Sequence, residues 1–170
     1  MQNYKIIYIK KGGEYMESYK LNYKLSKKIY KHHKQKIRLH MCYSNIYLIR
    51  NCAELRNYSY KIAYGFLLDS ENIFTRHCFI LLEDSTIIDP TFFAFAEKEE
   101  TAEYFIIKTF SLMDYMEAVV KNEYNLSLEH LLMNKEIELH SKLEKNGYER
   151  NIYEDDEFIM RRLKSANMQI

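Results

Sequence analysis

The chain has 170 residues, a formal charge of +1, and 47% apolar against 29% charged residues, which excludes a disordered tail and a membrane protein. Four Gly and one Pro leave little material for linkers, so residues 1–170 are expected to form one domain with its own core. No apolar run at the start has signal-peptide length and none spans a bilayer, so the expectation is a cytoplasmic protein with no membrane partner.

In chain order, Tyr4-Lys-Ile-Ile-Tyr-Ile9 reads as a strand and Gly12-Gly13 as a turn. Leu21, Leu25 and Ile29 place a helix over 15–36 with a wet basic face. A second helix starts at Cys42, its apolar positions Ile46, Tyr47, Ile49, Ala53 and Leu55 recurring at helical spacing. The period then changes. Strands are expected over 60–68, 73–82 and 86–89, joined by turns at 69–72 and 83–85 as an antiparallel meander, and a fourth over 104–110. Ser111, with Asp114 three residues on, caps a helix to about Asn122. Ser127 is read as the cap of another over Leu128 to Lys145, closed by Asn146-Gly147. A last short helix is expected over 155–167. The fold class is α+β: a Cys-bearing helix packed on an antiparallel sheet, with helices following. Three parts are distinguished: a basic segment 1–38, a core 40–110, and a helical part 111–170.

Residues 1–38 hold eleven basic and two acidic residues, against 14 basic and 22 acidic in the remainder. Two mutually attracting faces of one domain explain this asymmetry, and so does a patch for nucleic acid or an acidic protein. Tyr15, Tyr19, Tyr23 and Tyr30 interleaved with Lys suit stacking plus phosphate contact, although such spacing also describes a packing stripe. The cysteines, Cys42, Cys52 and Cys78, are odd in number and contain no Cys-x-x-Cys pair. Free thiols follow, rather than a disulfide framework or a zinc ribbon.

Cys42, His77 and Asp89 carry the chemistry. Thiol catalysis needs a thiolate, an imidazole that takes and returns its proton, and a group that orients the imidazole. Cys42 opens a helix, where unpaired amides and the helix dipole favour a thiolate. A three-residue loop centred on Glu83 pairs His77 directly with Asp89 on one face, with Cβ atoms about 5 Å apart. A two-residue loop puts them on opposite faces. Cys52 and Cys78 read as inert small hydrophobes, and His32, His33, His40, His130 and His140 as surface residues. A metal site from His40, Cys42 and His77 lacks zinc-like spacing and leaves Asp89 without a role, so no metal or cofactor is expected.

The string Cys42-Tyr-Ser-Asn, Tyr64-Gly65-Phe66, Arg76-His77-Cys78-Phe79 and Ile88-Asp89-Pro90-Thr91 resembles the core of the transglutaminase-like superfamily. That group sits with the papain-like cysteine peptidases, and the likeness is to small bacterial and phage members with a Cys-x-x-Asn start. It covers roughly residues 40–93. The resemblance implies Cys42 as nucleophile, His77 as general base and acid, and Asp89 as orienting carboxylate. It also implies a protein or peptide substrate attacked at an amide or acyl group. Many members carry His-Ala-Trp where this chain has His77-Cys78-Phe79. The family's oxyanion clamp is an aromatic or Gln upstream of the Cys, which points to Gln35. The Cys42 N–H and Asn45 are the other candidates, and Asn45 also reads as an ordinary polar helix residue. Cysteine peptidase, deamidase and transglutaminase-like acyl transfer all remain open. The alternative is a non-catalytic binding or inhibitor module of the same fold, gripping nucleic acid or an acidic partner through 1–38.

Overall fold

A computed structural model describes residues 7–11, 14–95 and 102–151. The expected Gly12-Gly13 turn and the helix over 155–167 lie outside the described residues.

The chain opens with strands β1 (Ile7–Lys11) and β2 (Glu14–Leu21), then helices α1 (Tyr23–His33) and α2 (Cys42–Ile49). The single helix expected over 15–36 is therefore a strand followed by a helix. Met16 and Ser18 are buried and Glu17 is exposed, which is strand alternation. Asn22 ends that run: its side chain accepts from the Leu25 N–H and caps α1. The second expected helix stops at Ile49, and Ala53–Leu55 form a separate 3-10 turn.

Strands β3 (Tyr60–Leu68), β4 (Ile73–Leu82) and β5 (Thr86–Ile88) form the expected meander. A short helix α3 (Phe92–Phe95) follows, then β6 (Glu103–Phe110), α4 (Leu112–Lys121), α5 (Glu129–Lys145) and a short β7 (Glu149–Arg150). Ser111 caps α4 by accepting from the Asp114 N–H. Ser127 does not cap α5. Its hydroxyl bonds the Asn125 side chain, and Leu128 occupies the cap position in the left-handed region, φ 48°. At the other end Gly147 takes φ +81°, its N–H donates to Glu144 O, and the Tyr148 N–H donates to Leu143 O, closing the helix as a Schellman motif.

The sheet runs β1-β2-β5-β4-β3-β6, and β2 also pairs with β6 through Tyr19–Tyr104 and Lys20–Glu103. Strands β2, β5, β4, β3 and β6 thus close into a ring. The sheet is mixed rather than wholly antiparallel, because β2 lies parallel to β5 and β7 parallel to β4. Side chains alternate across this ring and divide the core in two. Ala63, Leu67, Phe79, Ile87 and Tyr104 form a small cluster with Phe92. Ile62, Tyr64, Phe66, Cys78 and Ile80 face the larger cluster, which takes in Ile46 and Ile49 of α2 and Tyr115 and Val119 of α4. Arg76 ties α5 to β4 through Glu129 (3.0 Å) and Glu136 (2.8 Å). Among the described residues no helix is long and apolar enough to cross a membrane.

Candidate active site

The β4–β5 turn comprises Glu83, Asp84 and Ser85, with Leu81 opposite Ile87 and Ile80 opposite Ile88. Its centre is Asp84, one residue later than expected. The odd loop length survives, so His77 and Asp89 keep the same face, but they are not direct cross-strand partners. Asp89 lies on the diagonal, where the side chains rather than the Cβ atoms close the gap. His77 Nε2 meets Asp89 Oδ2 at 2.8 Å.

That contact forms at an open edge of β4. Ile73 and Phe74 pair with β7, and Ile80 and Leu81 with β5. Between them, among the described residues, no strand occupies that side of β4. On the other side His77 faces Gly65 of β3. Gly65 sits at a bulge against β6, where a Cβ would fall 1.8 Å from the Phe105 carbonyl oxygen. Only glycine permits that approach, so Gly65 is both a bulge and a packing point.

Asp89 is fixed from four sides. Its Oδ1 accepts from the Thr91 N–H (2.9 Å) and the Phe92 N–H (3.2 Å), and its Oδ2 accepts from the Tyr104 hydroxyl (3.0 Å) as well as His77. The first pair is an Asx turn that leads into α3, and Pro90 sits inside it, where a missing N–H costs nothing. The Asp89 N–H donates to Ser26 Oγ of α1 at 3.0 Å.

Cys42 is the first residue of α2, which packs against β4. Its N–H has no intrahelical acceptor. Cys42, His77 and Asp89 are all buried, at 7%, 5% and 0% exposure. Burial lowers the His77 pKa, but the charges and hydrogen bonds of Asp89 and Cys42 outweigh it and hold the imidazole well above its usual value of 6.5. With Nε2 taken by Asp89, Nδ1 is the ring nitrogen left for Cys42. The structure thus brings the three sequence-predicted residues together. The other two thiols differ. Burial, together with the Glu54 carboxylate, pushes Cys52 up to about 11, and burial pushes Cys78 well above the ordinary thiol range.

Neither side-chain oxyanion candidate fits that role. Gln35 is exposed in the turn after α1. Asn45 is buried and spends both amide hydrogens, on Arg38 O (2.7 Å) and Thr91 Oγ1 (3.0 Å), while its Oδ1 accepts from the Arg38 N–H (3.0 Å). It has no donor left for an oxyanion and instead ties α2 to the Asp89-Pro90-Thr91 turn. Sequence reasoning missed this clamp, together with Tyr104 and Ser26. The Asp-Pro-Thr string was the one local signal, because it is also a turn signature.

Two of the histidines read as surface residues are half-buried. His140 packs edge-on against Phe74 and Phe66, and His33 lies against Glu54. Among the described residues, the metal-capable group is His33, Cys52 and Glu54, not His40, Cys42 and His77. Comparison with family models, with curated proteins and with solved structures finds no match to this chain.

Proposed function

We propose that the protein is a thiol enzyme of the cysteine hydrolase and acyltransferase class, acting on an amide or acyl group of a protein or peptide. Within that class the reading is transglutaminase-like, on a papain-like core. The observation that carries it is the buried His77–Asp89 hydrogen bond, with the helix-opening Cys42 on the same imidazole.

In this reading the Cys42 proton already rests on His77 Nδ1, in the imidazolium that Asp89 favours, and Cys42 Sγ attacks the carbonyl carbon as a thiolate. The Cys42 N–H faces the developing oxyanion. His77 then protonates the leaving nitrogen, the C–N bond breaks, and a thioester remains. Water, deprotonated by His77, attacks the thioester to release a carboxylic acid, and the proton returns to Cys42. When the leaving nitrogen is a Gln or Asn side-chain amide, the same steps are a deamidation. An amine in place of water gives transamidation. Asp89 holds the ring tautomer that leaves Nδ1 available.

Iodoacetamide is expected to label Cys42 ahead of Cys52 and Cys78, and Cys42→Ala to abolish turnover of peptide amide substrates. Preferential labelling of Cys52 or Cys78 would sink the assignment.

A second reading rests on a groove of about 960 Å³ lined by Lys24, Lys27, Lys28 and Lys31 along α1, a surface suited to an anionic partner. Tyr23, which lines the groove, and Tyr30 of the same helix both pack on Phe93 rather than standing free for stacking on bases. Salt-dependent binding to nucleic acid would support this module, and no binding at low salt would remove it.

A further inference from the structure

His33 ends α1, and Cys52 and Glu54 flank Ala53 at the 3-10 turn between α2 and β3. One nitrogen, the sulfur and a carboxylate oxygen of these three lie within 4.8 Å of one another. We propose that His33, Cys52 and Glu54 form a zinc site, separate from the Cys42–His77–Asp89 cluster, that pins the end of α1 to the α2–β3 connection.

The donor set is what a borderline-soft cation selects: one imidazole, one thiol and one carboxylate. Magnesium and calcium prefer oxygen alone. The spacing fits as well. Zinc bonds of about 2.1 Å to nitrogen and oxygen set a tetrahedral edge of about 3.4 Å. His33 Nε2 and Glu54 Oε2 are 3.4 Å apart. That separation is long for a hydrogen bond and right for two ligands of one ion. The Cys52 sulfur lies within 4.8 Å of both ligand atoms.

His32 occupies a different place. Its Nδ1 contacts the other carboxylate oxygen, Glu54 Oε1, at 2.5 Å. A carboxylate ligand held by a hydrogen bond on its second oxygen is the usual outer support of a metal site. The adjacent histidines therefore divide the work. His33 coordinates through Nε2, His32 orients Glu54, and a water completes the tetrahedron. On binding, the Cys52 proton leaves to solvent and the sulfur coordinates as thiolate. The charges then balance, two negative ligands against one divalent cation, at a half-buried position.

Cobalt is the probe, because it substitutes for zinc and is coloured. The full-length chain, stripped with a chelator, is titrated with Co²⁺, followed by competition with Zn²⁺. One equivalent is expected, with tetrahedral visible bands and a near-ultraviolet sulfur-to-cobalt charge-transfer band, both bleached by zinc. Cys52→Ser removes the charge-transfer band and Cys42→Ala leaves it. His32→Gln weakens binding about 10- to 100-fold while keeping the band. His33→Gln, at a partly exposed position, weakens binding further and covers the case in which Cys52→Ser does not fold. Zinc raises the melting temperature of the wild type and not of His33→Gln. The proposal is overturned if no equivalent survives gel filtration, or if the band persists in Cys52→Ser. It is equally overturned if Cys42→Ala abolishes the band, which would place the metal on the other thiol.

Discussion

Replacing Asp89 with Asn keeps the shape of the side chain and removes its charge. Four donors converge on that carboxylate, two backbone N–H groups on Oδ1 and the His77 and Tyr104 side chains on Oδ2. The Asn oxygen can still serve Thr91 and Phe92. Its NH₂ then points at His77 and Tyr104, both of which donated to Asp89. Tyr104 can turn its hydroxyl to accept. His77 can accept only by losing its proton from Nε2 and carrying it on Nδ1, the nitrogen that must receive the Cys42 proton. A hydrogen bond to a charged group contributes about 1.5–3 kcal/mol. Losing it together with the Asp89 charge, the largest influence that holds the ring up, lowers the His77 pKa. In triads, the wrong tautomer costs about 10⁴-fold in turnover. The direct assay needs no substrate: an NMR titration of the His77 ring in the wild type and Asp89→Asn, with thermal melts to show that both fold. The wild-type ring should stay protonated well above pH 6.5, and the variant should titrate clearly lower. A folded Asp89→Asn with an unchanged titration would refute the argument, as would a wild-type ring titrating at the ordinary value.

The same raised imidazole makes stability depend on pH. Above about pH 6.5 the unfolded chain has lost the His77 proton while the folded chain still keeps it, so stability falls as pH rises from there, by at most about 1.36 kcal/mol per pH unit. Urea midpoints at pH 6, 7 and 8 should decline in the wild type and flatten in Asp89→Asn; a flat wild-type profile contradicts the coupling. Above about pH 8.5, Cys52 and Cys78, both pushed up in the fold, add to the same decline. Asn45→Ala strands the Thr91 hydroxyl and both Arg38 backbone groups, and should cost about 2–4 kcal/mol in urea unfolding. Lost turnover with full stability would instead restore Asn45 as an oxyanion donor.

The meander was legible because its elements are marked locally. Asp69 and the 83–85 turn bracket β4 at the expected ends, and the Ser111 cap with Asp114 marks α4 in the same way. Two local signals misled. Leu21, Leu25 and Ile29 keep four-residue spacing across the β2–α1 boundary, so the period hid a change of structure that Asn22 marks. Ser127 has the right residue type one position before the observed cap, yet its hydroxyl is spent on Asn125. The ring closure left no sequence trace, because two residue pairs between β2 and β6 make it across more than eighty positions. The site divides in the same way. Cys42, His77 and Asp89 follow from residue type and order. Ser26, Tyr104 and the Asn45 clamp depend on contacts between distant elements, which a local reading does not reach.

The Asp-Pro-Thr string supplies at once a strand-ending turn and the carboxylate that orients His77. A carboxylate has two oxygens, and Asp89 gives Oδ1 to the turn that leads into α3 and Oδ2 to His77 and Tyr104. The turn fixes the rotamer. Pro90, inside the turn, presents no N–H that would compete for Oδ1. With Oδ1 held, Oδ2 can point only toward the open edge of β4. His77 is there because the odd turn length preserved its face, and because Gly65 lets β3 and β6 crowd together behind it. Ser26 fixes the Asp89 backbone from α1, and Asn45 fixes Thr91 from the helix that carries Cys42. The nucleophile's helix and the orienting carboxylate are thereby referenced to one turn of backbone. A shift of that turn would move both, which is why the positioning of the triad rests on hydrogen bonds that touch neither Cys42 nor His77.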